Sequence, residues 1–204
     1  MTDRQRMWDE RYAASHQVWS ASPNAEVERI IGGWTPDRAG QDRRGGRALD
    51  LGAGEGRHAV WLASLGWRVT AVDFSAVGLG KGEAEASRRG HRVDWVVADA
   101  RSWQPPEGRL FDLVLVAYLH LPEDVLSRAS RWLAPGGALV IVGHALRNLT
   151  EGVGGPSDAS LLHTLEDLRA ASAGLEVERC EEIVRSTEGG DAIDAVLVAR
   201  RPAG

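Results

Sequence analysis

From Arg47 onward, short apolar runs alternate with longer stretches whose apolar residues recur at helical spacing. Arg47-Ala48-Leu49-Asp50-Leu51 predicts a first strand that stops at glycines. Arg57 to Leu65 has helical spacing, with Val60, Leu62, Ala63 and then Leu65, and Gly66 ends it. Trp67 to Val72 predicts a second strand running into Asp73. Ser75 is placed to cap a helix that reaches Arg89 and stops at Gly90. Val93 to Ala98 reads as a third strand, followed by Asp99. Leu110 to Ala117 reads as a fourth, almost wholly apolar and so buried on both faces. Glu123 to Leu133 predicts a helix closed by Pro135-Gly136-Gly137, and Ala138 to Val142 a fifth strand. A helix over Leu165 to Ala173 then precedes a strand from Leu175 to Val184. The turn Glu188-Gly189-Gly190-Asp191 leads to a last strand, Ala192 to Ala199.

Strands that alternate with helices predict a parallel sheet with right-handed crossovers. Two strands joined by a Gly-Gly turn predict an antiparallel hairpin. The fold class is therefore α/β, a mostly parallel sheet finished by a hairpin. Three segments fall outside it. Residues 1–31 read as helix, loop, helix, with Trp8, Tyr12, Trp19 and Ile30 to bury. Residues 32–46, rich in Gly, Arg and Asp, read as a linker. Residues 144–160 form a loop long enough to be either functional or disordered.

Composition narrows the setting. At 204 residues the chain reads as a single domain, 1–204, with a sizeable core. Its one cysteine, Cys180, has no internal partner, which predicts a reducing, cytoplasmic location. No apolar run approaches the ~20 residues that cross a bilayer, and the polar start is unlike a secretion signal, so no membrane partner is expected. The net charge of −5 argues against nucleic acid as a partner. No Cys or His cluster has metal-ligand spacing, so no metal is expected.

The densest chemical signal is Leu49-Asp50-Leu51-Gly52-Ala53-Gly54-Glu55-Gly56, set between a strand and a helix, where open parallel sheets bind nucleotide-like ligands. Glycines there permit positive φ and close approach of a ligand to backbone; the alternative is a tight turn with no ligand. Asp73 and Asp99 follow in order, each at a strand end. A carboxylate at the first position suits ribose hydroxyls, and at the second an adenine amino group; a helix cap or solvated strand end is the alternative for each. The spacing departs from a dinucleotide loop, because Arg57 stands where a third glycine is wanted. Asp50 is also poorly placed for a pyrophosphate and better suited to a ligand with a cationic amine.

These motifs, with the fourth strand Phe111 to Ala117 and Leu133-Ala134-Pro135-Gly136-Gly137, resemble the class I S-adenosylmethionine-dependent methyltransferases from about Arg47 to Gly143. The resemblance implies a Rossmann-like sheet of seven strands with the last antiparallel, and S-adenosylmethionine as cofactor with S-adenosylhomocysteine as product. Gly52, Ala53 and Gly54 would line the methionine part beside Asp50. Asp73 and Phe74 would hold ribose and flank adenine, Asp99 and Ala100 would read the adenine edge, and Ala117 would complete the set. The opening, Trp8-Asp9-Glu10-Arg11-Tyr12 with Val18-Trp19-Ser20 and Pro23-Asn24, resembles the tellurite-resistance and thiopurine-type subgroup, in which it forms a helical lid. By that resemblance Trp19 and Asn24 join the cofactor set, Asn24 reaching for the carboxylate.

Methyl transfer asks little of a protein beyond alignment and exclusion of water. A thiol is already partly ionised at neutral pH, whereas an oxygen acceptor needs a base. The subgroup's His-Arg pair before the last turn reads here as Val184-Arg185, so that histidine is absent and Arg185 remains to attract an anion. His120, after the fourth strand, and His144, after the fifth, are the other catalytic candidates; Tyr118, Arg147 and Asn148 lie beside them. The expected function is methyl transfer to a small molecule, with a thiol or other soft heteroatom favoured. An oxygen or ring-nitrogen acceptor with a histidine base is the first alternative. A non-catalytic cofactor-binding domain is the second, and a nicotinamide dehydrogenase is the weakest. Oligomeric state is not readable.

Overall fold

The computed structural model describes residues 2–34, 36, 45–119 and 123–204. Its elements follow the expected alternation: α1 (Asp3–Ala14), α2 (Ala25–Ile31), β1 (Arg47–Leu51), α3 (Arg57–Ser64), β2 (Arg68–Asp73), α4 (Ala76–Arg88), β3 (Val93–Val97), β4 (Phe111–Ala117), α5 (Glu123–Ser130), β5 (Leu133–His144), α6 (Asn148–Glu151), α7 (Leu165–Ala171), β6 (Glu176–Thr187) and β7 (Gly190–Arg200). The strands form one Rossmann-like, seven-stranded sheet in the order β3-β2-β1-β4-β5-β7-β6. The chain also partitions into two compact units, residues 1–111 and 112–204.

In the first unit β1, β2 and β3 are parallel, with Asp50 opposite Ala71 and Asp73 opposite Val97. The crossover helices cover the strands, which is why β1 and β2 are buried after their first residue instead of alternating. Ser75 caps α4 as expected, its hydroxyl accepting from the Gly78 amide at 2.9 Å. Among the described residues of the segment expected as a linker, Gly46 accepts a bond from the Arg68 amide, which ties it to β2; most of that segment lies outside the described residues.

In the second unit β7 runs antiparallel to both neighbours, β5 and β6. The core is made by the buried apolar residues of β4, of β7 from Ala192 to Ala199 and of the middle of β5. β6 carries Glu176, Glu178, Glu181 and Glu182 along the sheet edge, a charge pattern that discourages edge pairing.

Several boundaries shift by one to three residues, and the largest differences from the sequence expectation lie at the α5–β5 junction and in the 144–160 loop. The helix expected to run to Leu133 stops at Ser130, and Leu133-Ala134-Pro135-Gly136-Gly137 belongs to β5. The cause is tertiary: Gly136 and Gly137 exchange backbone bonds with Arg201 at 2.9 Å each, and the Arg201 guanidinium bonds to the Leu133 carbonyl at 2.6 Å. The 144–160 loop is also more ordered than its composition implies. It holds α6 and a short 3-10 turn, Ala159–Leu161. Buried Asn148 anchors it by accepting from the Ile193 amide at 2.7 Å and donating to the Gly154 carbonyl at 2.9 Å.

Candidate active site

The glycine loop stays attached to the sheet as it leaves β1. Gly52 and Ala53 amides both donate to the Val72 carbonyl, at 2.8 and 3.0 Å. Two of its glycines do different work. A Cβ on Gly54, at φ +56, would stand 2.8 Å from the Tyr12 hydroxyl. One on Gly56, at φ +74, would stand 2.6 Å from the Trp95 ring of β3, so this glycine serves helix–strand packing and not a ligand.

Asp50 is fully buried, and neither carboxylate oxygen has a hydrogen-bond partner at bonding geometry among the described residues. Burial pushes its pKa up to about 7. The Arg57 charge and the Ala59 amide offset this in part, and the Asp73 charge adds to it. A buried carboxylate with unmet acceptors is costly unless a donor arrives. The ammonium of an amino-acid moiety is such a donor, so the residues present fit S-adenosylmethionine. Asp73 is buried at the end of β2 and accepts from the Gly54 amide at 2.9 Å and the Ser75 amide at 2.8 Å. Burial raises its pKa, and these amides pull against that. Each oxygen keeps acceptor capacity for a hydroxyl. Asp99 accepts from the Arg101 amide at 2.9 Å, an Asx turn that orients it, and Ala100 beside it is buried. The Phe74 carbonyl accepts from the Gln5 side chain at 2.8 Å, and Asp9 accepts a short bond from Ser75. α1 is thereby docked on the turn that carries Asp73 and Phe74.

The N-terminal segment closes on the glycine loop through Glu55. Its carboxylate accepts from the amides of Val18 at 2.9 Å and Trp19 at 3.0 Å, and pairs with Lys81 at 2.9 Å. Lys81, the one lysine of the chain, also bonds to the Ser15 carbonyl at 2.6 Å. Trp8 lies 5.5 Å from Tyr12 and 6.2 Å from Trp19, with the Arg11 guanidinium over both indoles. Burial pushes the Tyr12 hydroxyl up to about 12, so it stays protonated. Trp19 remains 37% exposed. Asn24 is otherwise engaged: its side-chain oxygen caps α2 by accepting from Glu26 and Val27 amides, at 2.9 and 3.3 Å. Its own amide donates to His58 Nε2 at 3.1 Å. Burial, reinforced by Arg57, drives His58 down to about 3, so the ring stays neutral and remains an acceptor. Glu55→Gln is expected to loosen this clasp. Charge-assisted bonds are worth roughly 1.5–3 kcal/mol each, so amide exchange at Val18 and Trp19 should accelerate about tenfold to a hundredfold. Unchanged exchange in a folded variant would refute the clasp.

In the second unit a polar cluster is built around Asp194 of β7, which has no exposure. Its Oδ2 accepts from the Tyr118 hydroxyl at 2.5 Å and Arg185 Nε at 2.7 Å. His144 Nδ1 lies 3.2 Å from Oδ1, at ion-pair distance but off the straight hydrogen-bond line. The register explains the gathering: His144 on β5 and Ile183 on β6 both stand opposite Asp194. Tyr118 follows β4 at φ +54, the one non-glycine residue with positive φ among those described, and its ring meets His144 edge-on at 5.1 Å. Burial raises the Tyr118 pKa, and the Asp194 charge adds to it. Burial works to raise Asp194 as well, but the His144, Arg185 and Tyr118 contacts outweigh it and keep the carboxylate below its usual range.

His144 and Arg185, two of the three catalytic candidates, are thus brought to one carboxylate. His120 lies outside the described residues. Ala117 ends β4, buried beside Tyr118. Asp194, Glu55 and Tyr12 were not singled out as site residues by sequence reasoning. Asp194 had a signal, a lone acid inside the apolar run Ala192 to Ala199. Glu55 had a weaker one, an acid between two loop glycines. Among the described residues there is no group of His, Cys, Asp and Glu fit to hold a metal, and no helix long and apolar enough to cross a membrane.

Residues 48–137 match the methyltransferase domain family. The ubiquinone biosynthesis O-methyltransferase of Burkholderia cenocepacia is 29% identical over 133 residues, 60% of this chain and 56% of that protein. The chain therefore spans just over half the length of this curated relative. Among solved structures, the N-methyltransferase NodS of Bradyrhizobium japonicum WM9, in complex with S-adenosylhomocysteine, superposes with a TM-score of 0.67 at 21% identity, covering 98% of this chain and 100% of that one. TehB of Haemophilus influenzae superposes at 0.66 and 18%, covering 97% and 67%.

Proposed function

We propose that this chain is a class I S-adenosylmethionine-dependent methyltransferase that methylates an ionisable oxygen of a small molecule, with His144 as the base. The observation that carries the oxygen assignment is His144 itself, a largely enclosed imidazole set beside an ionised, buried carboxylate. A soft nucleophile has no need of such a group. The Burkholderia relative is an O-methyltransferase, which supports the same acceptor.

S-adenosylmethionine, when bound, supplies an electrophilic methyl group and leaves as S-adenosylhomocysteine. The chain's residues do the rest. Asp50 meets the ammonium, Asp73 the ribose hydroxyls, and Asp99 with Ala100 the adenine edge. Trp19 covers the loop from the N-terminal segment and excludes water. His144 Nε2 takes the proton from the acceptor hydroxyl as its oxygen lone pair is committed to the new bond. Arg185 is neutralised by Asp194 and therefore gives little pull on an anionic substrate. That favours a neutral phenol or alcohol over a carboxylate.

The test is turnover of a matched pair, 4-methylphenol and 4-methylbenzenethiol, within a wider panel of phenols, alcohols, thiols and amines. Labelled methyl should pass to phenolic oxygen. Transfer confined to thiols would restore the soft-nucleophile reading and discard this one.

A further inference from the structure

Tyr12 is the buried residue of α1, only 5% exposed, and the proposal above gives it no task. Its ring lies against glycines of two different elements. A Cβ on Gly78, in the first turn of α4, would stand 3.1 Å from the ring, and one on Gly54 would stand 2.8 Å from the hydroxyl. Both positions are thus kept bare for this side chain. Packing alone would be served by a phenylalanine, so the oxygen needs its own account. The Trp19 indole N–H acts on that oxygen as a donor, and its Nε1 would be 3.8 Å from the same Gly54 Cβ. The proton of the hydroxyl meets no acceptor at bonding geometry among the described residues. A buried donor left in that state is costly unless a ligand completes it. Burial raises the hydroxyl to about 12, with Trp19 and Arg11 drawing it down and Asp73 and Glu55 pushing it up. At neutral pH it is therefore a donor.

We infer that Tyr12 is a cofactor-binding residue: its hydroxyl donates a hydrogen bond to the carboxylate of the methionine part of S-adenosylmethionine. This rests on the chain binding that cofactor. The chemistry of the donor selects the carboxylate. An ammonium has no lone pair to receive this proton, and it suits Asp50 instead. The ribose hydroxyls suit Asp73, and the adenine edge suits Asp99 with Ala100. The carboxylate is the group that still wants a donor, and the Tyr12 hydroxyl stands over Gly54, in the loop that would line the methionine part. An O–H bond to a carboxylate is charge-assisted and strong for its kind. The surrounding charges agree in sign. The Arg11 guanidinium lies 4.9 Å from the Trp8 ring and 5.4 Å from the Trp19 ring, and Arg57 lies 5.9 Å from the latter. The two nearby acids are already met by donors: Glu55 by Lys81 and the Val18 and Trp19 amides, Asp73 by the Gly54 and Ser75 amides. Asn24, which the resemblance places at this carboxylate, turns its side-chain oxygen to α2.

The experiment is calorimetry on the full chain with S-adenosylhomocysteine, with adenosine, and with 5′-S-(3-aminopropyl)-5′-thioadenosine, which is S-adenosylhomocysteine without its carboxylate. Tyr12→Phe keeps the ring against Gly54 and Gly78 and removes the oxygen alone. It should weaken S-adenosylhomocysteine about 10–150-fold, the worth of one hydrogen bond to a charged group. Adenosine and the aminopropyl compound should stay within about threefold of the parent, because neither carries the group that Tyr12 meets. A second measurement needs no substitution at Tyr12. With carbon-13 at tyrosine Cζ the chain gives two signals, from Tyr12 and Tyr118, told apart by the one lost in Tyr118→Phe. Saturating S-adenosylhomocysteine should move the Tyr12 signal downfield, and the aminopropyl compound should leave it in place. Should Tyr12→Phe fail to fold, this comparison alone decides. A loss below about threefold in the folded variant, an equal loss on all three ligands, or a Tyr12 signal that responds alike to both thioadenosines would overturn the inference and leave the cofactor reading intact. A parent that binds none of the three overturns the cofactor reading, and the inference falls with it.

Discussion

His144→Ala should reduce kcat/KM for 4-methylphenol by about 10²–10⁴-fold, the usual worth of a general base and roughly 3–5 kcal/mol of transition-state stabilisation. Affinity for S-adenosylhomocysteine, measured by calorimetry, should stay within about threefold of the parent. The matched thiol separates a base from a packing residue. 4-Methylbenzenethiol ionises without help, so its methylation should lose less than about tenfold. Equal losses on both acceptors would mean that the alanine disturbs binding or packing, and an unaffected phenol would mean that another group takes the proton.

The sheet was legible because its strands carry two signals at once. Leu110 to Ala117 is too apolar to face water on either side, and β1 and β2 each end at a glycine or an acid. These are local properties, and they survived folding with shifts of one or two residues. The Pro135-Gly136-Gly137 segment looks like a helix stop for equally local reasons. It became strand because Arg201, more than sixty positions away, supplies backbone partners for it. No periodicity in one segment reports such a partner.

Site residues divide along the same line. Asp50, Asp73 and Asp99 were legible as candidates because each sits at or next to a strand end, where backbone direction alone decides what it can reach. Asn24 was ambiguous because one side chain suits both a helix cap and a ligand carboxylate, and its oxygen is used by α2. Asp194 was overlooked because one acid barely alters the apolar character of Ala192 to Ala199. Its meaning appears only when the registers of β5 and β6 bring His144 and Arg185 to it. Val184, where the subgroup's histidine is missing, is exposed at the edge strand, while the retained Arg185 turns to Asp194.

Binding of S-adenosylhomocysteine should weaken about 10–30-fold as pH falls from 7.5 to 5.5, and Asp50 is the reason. In the free protein burial holds this carboxyl near 7, Arg57 drawing it down and Asp73 pushing it up. A bound ammonium favours the carboxylate and lowers that value. The free form then carries more protons than the complex at acid pH, so binding releases a proton and affinity falls as pH drops below about 7, by up to tenfold per unit. Above about 7 both forms are ionised and the dependence flattens. Asp50→Asn should bind about tenfold to a few hundredfold more weakly at pH 7.5, because it loses charge-assisted bonds to the ammonium, and its acid slope should disappear. Calorimetry in buffers of different ionisation heat reads the released proton directly. Asp73 is also raised by burial, so adenosine, which has the ribose but no ammonium, is the control for its share. A slope that persists in Asp50→Asn, or one that adenosine reproduces in full, would assign the proton to Asp73 and leave the buried Asp50 carboxylate without a ligand.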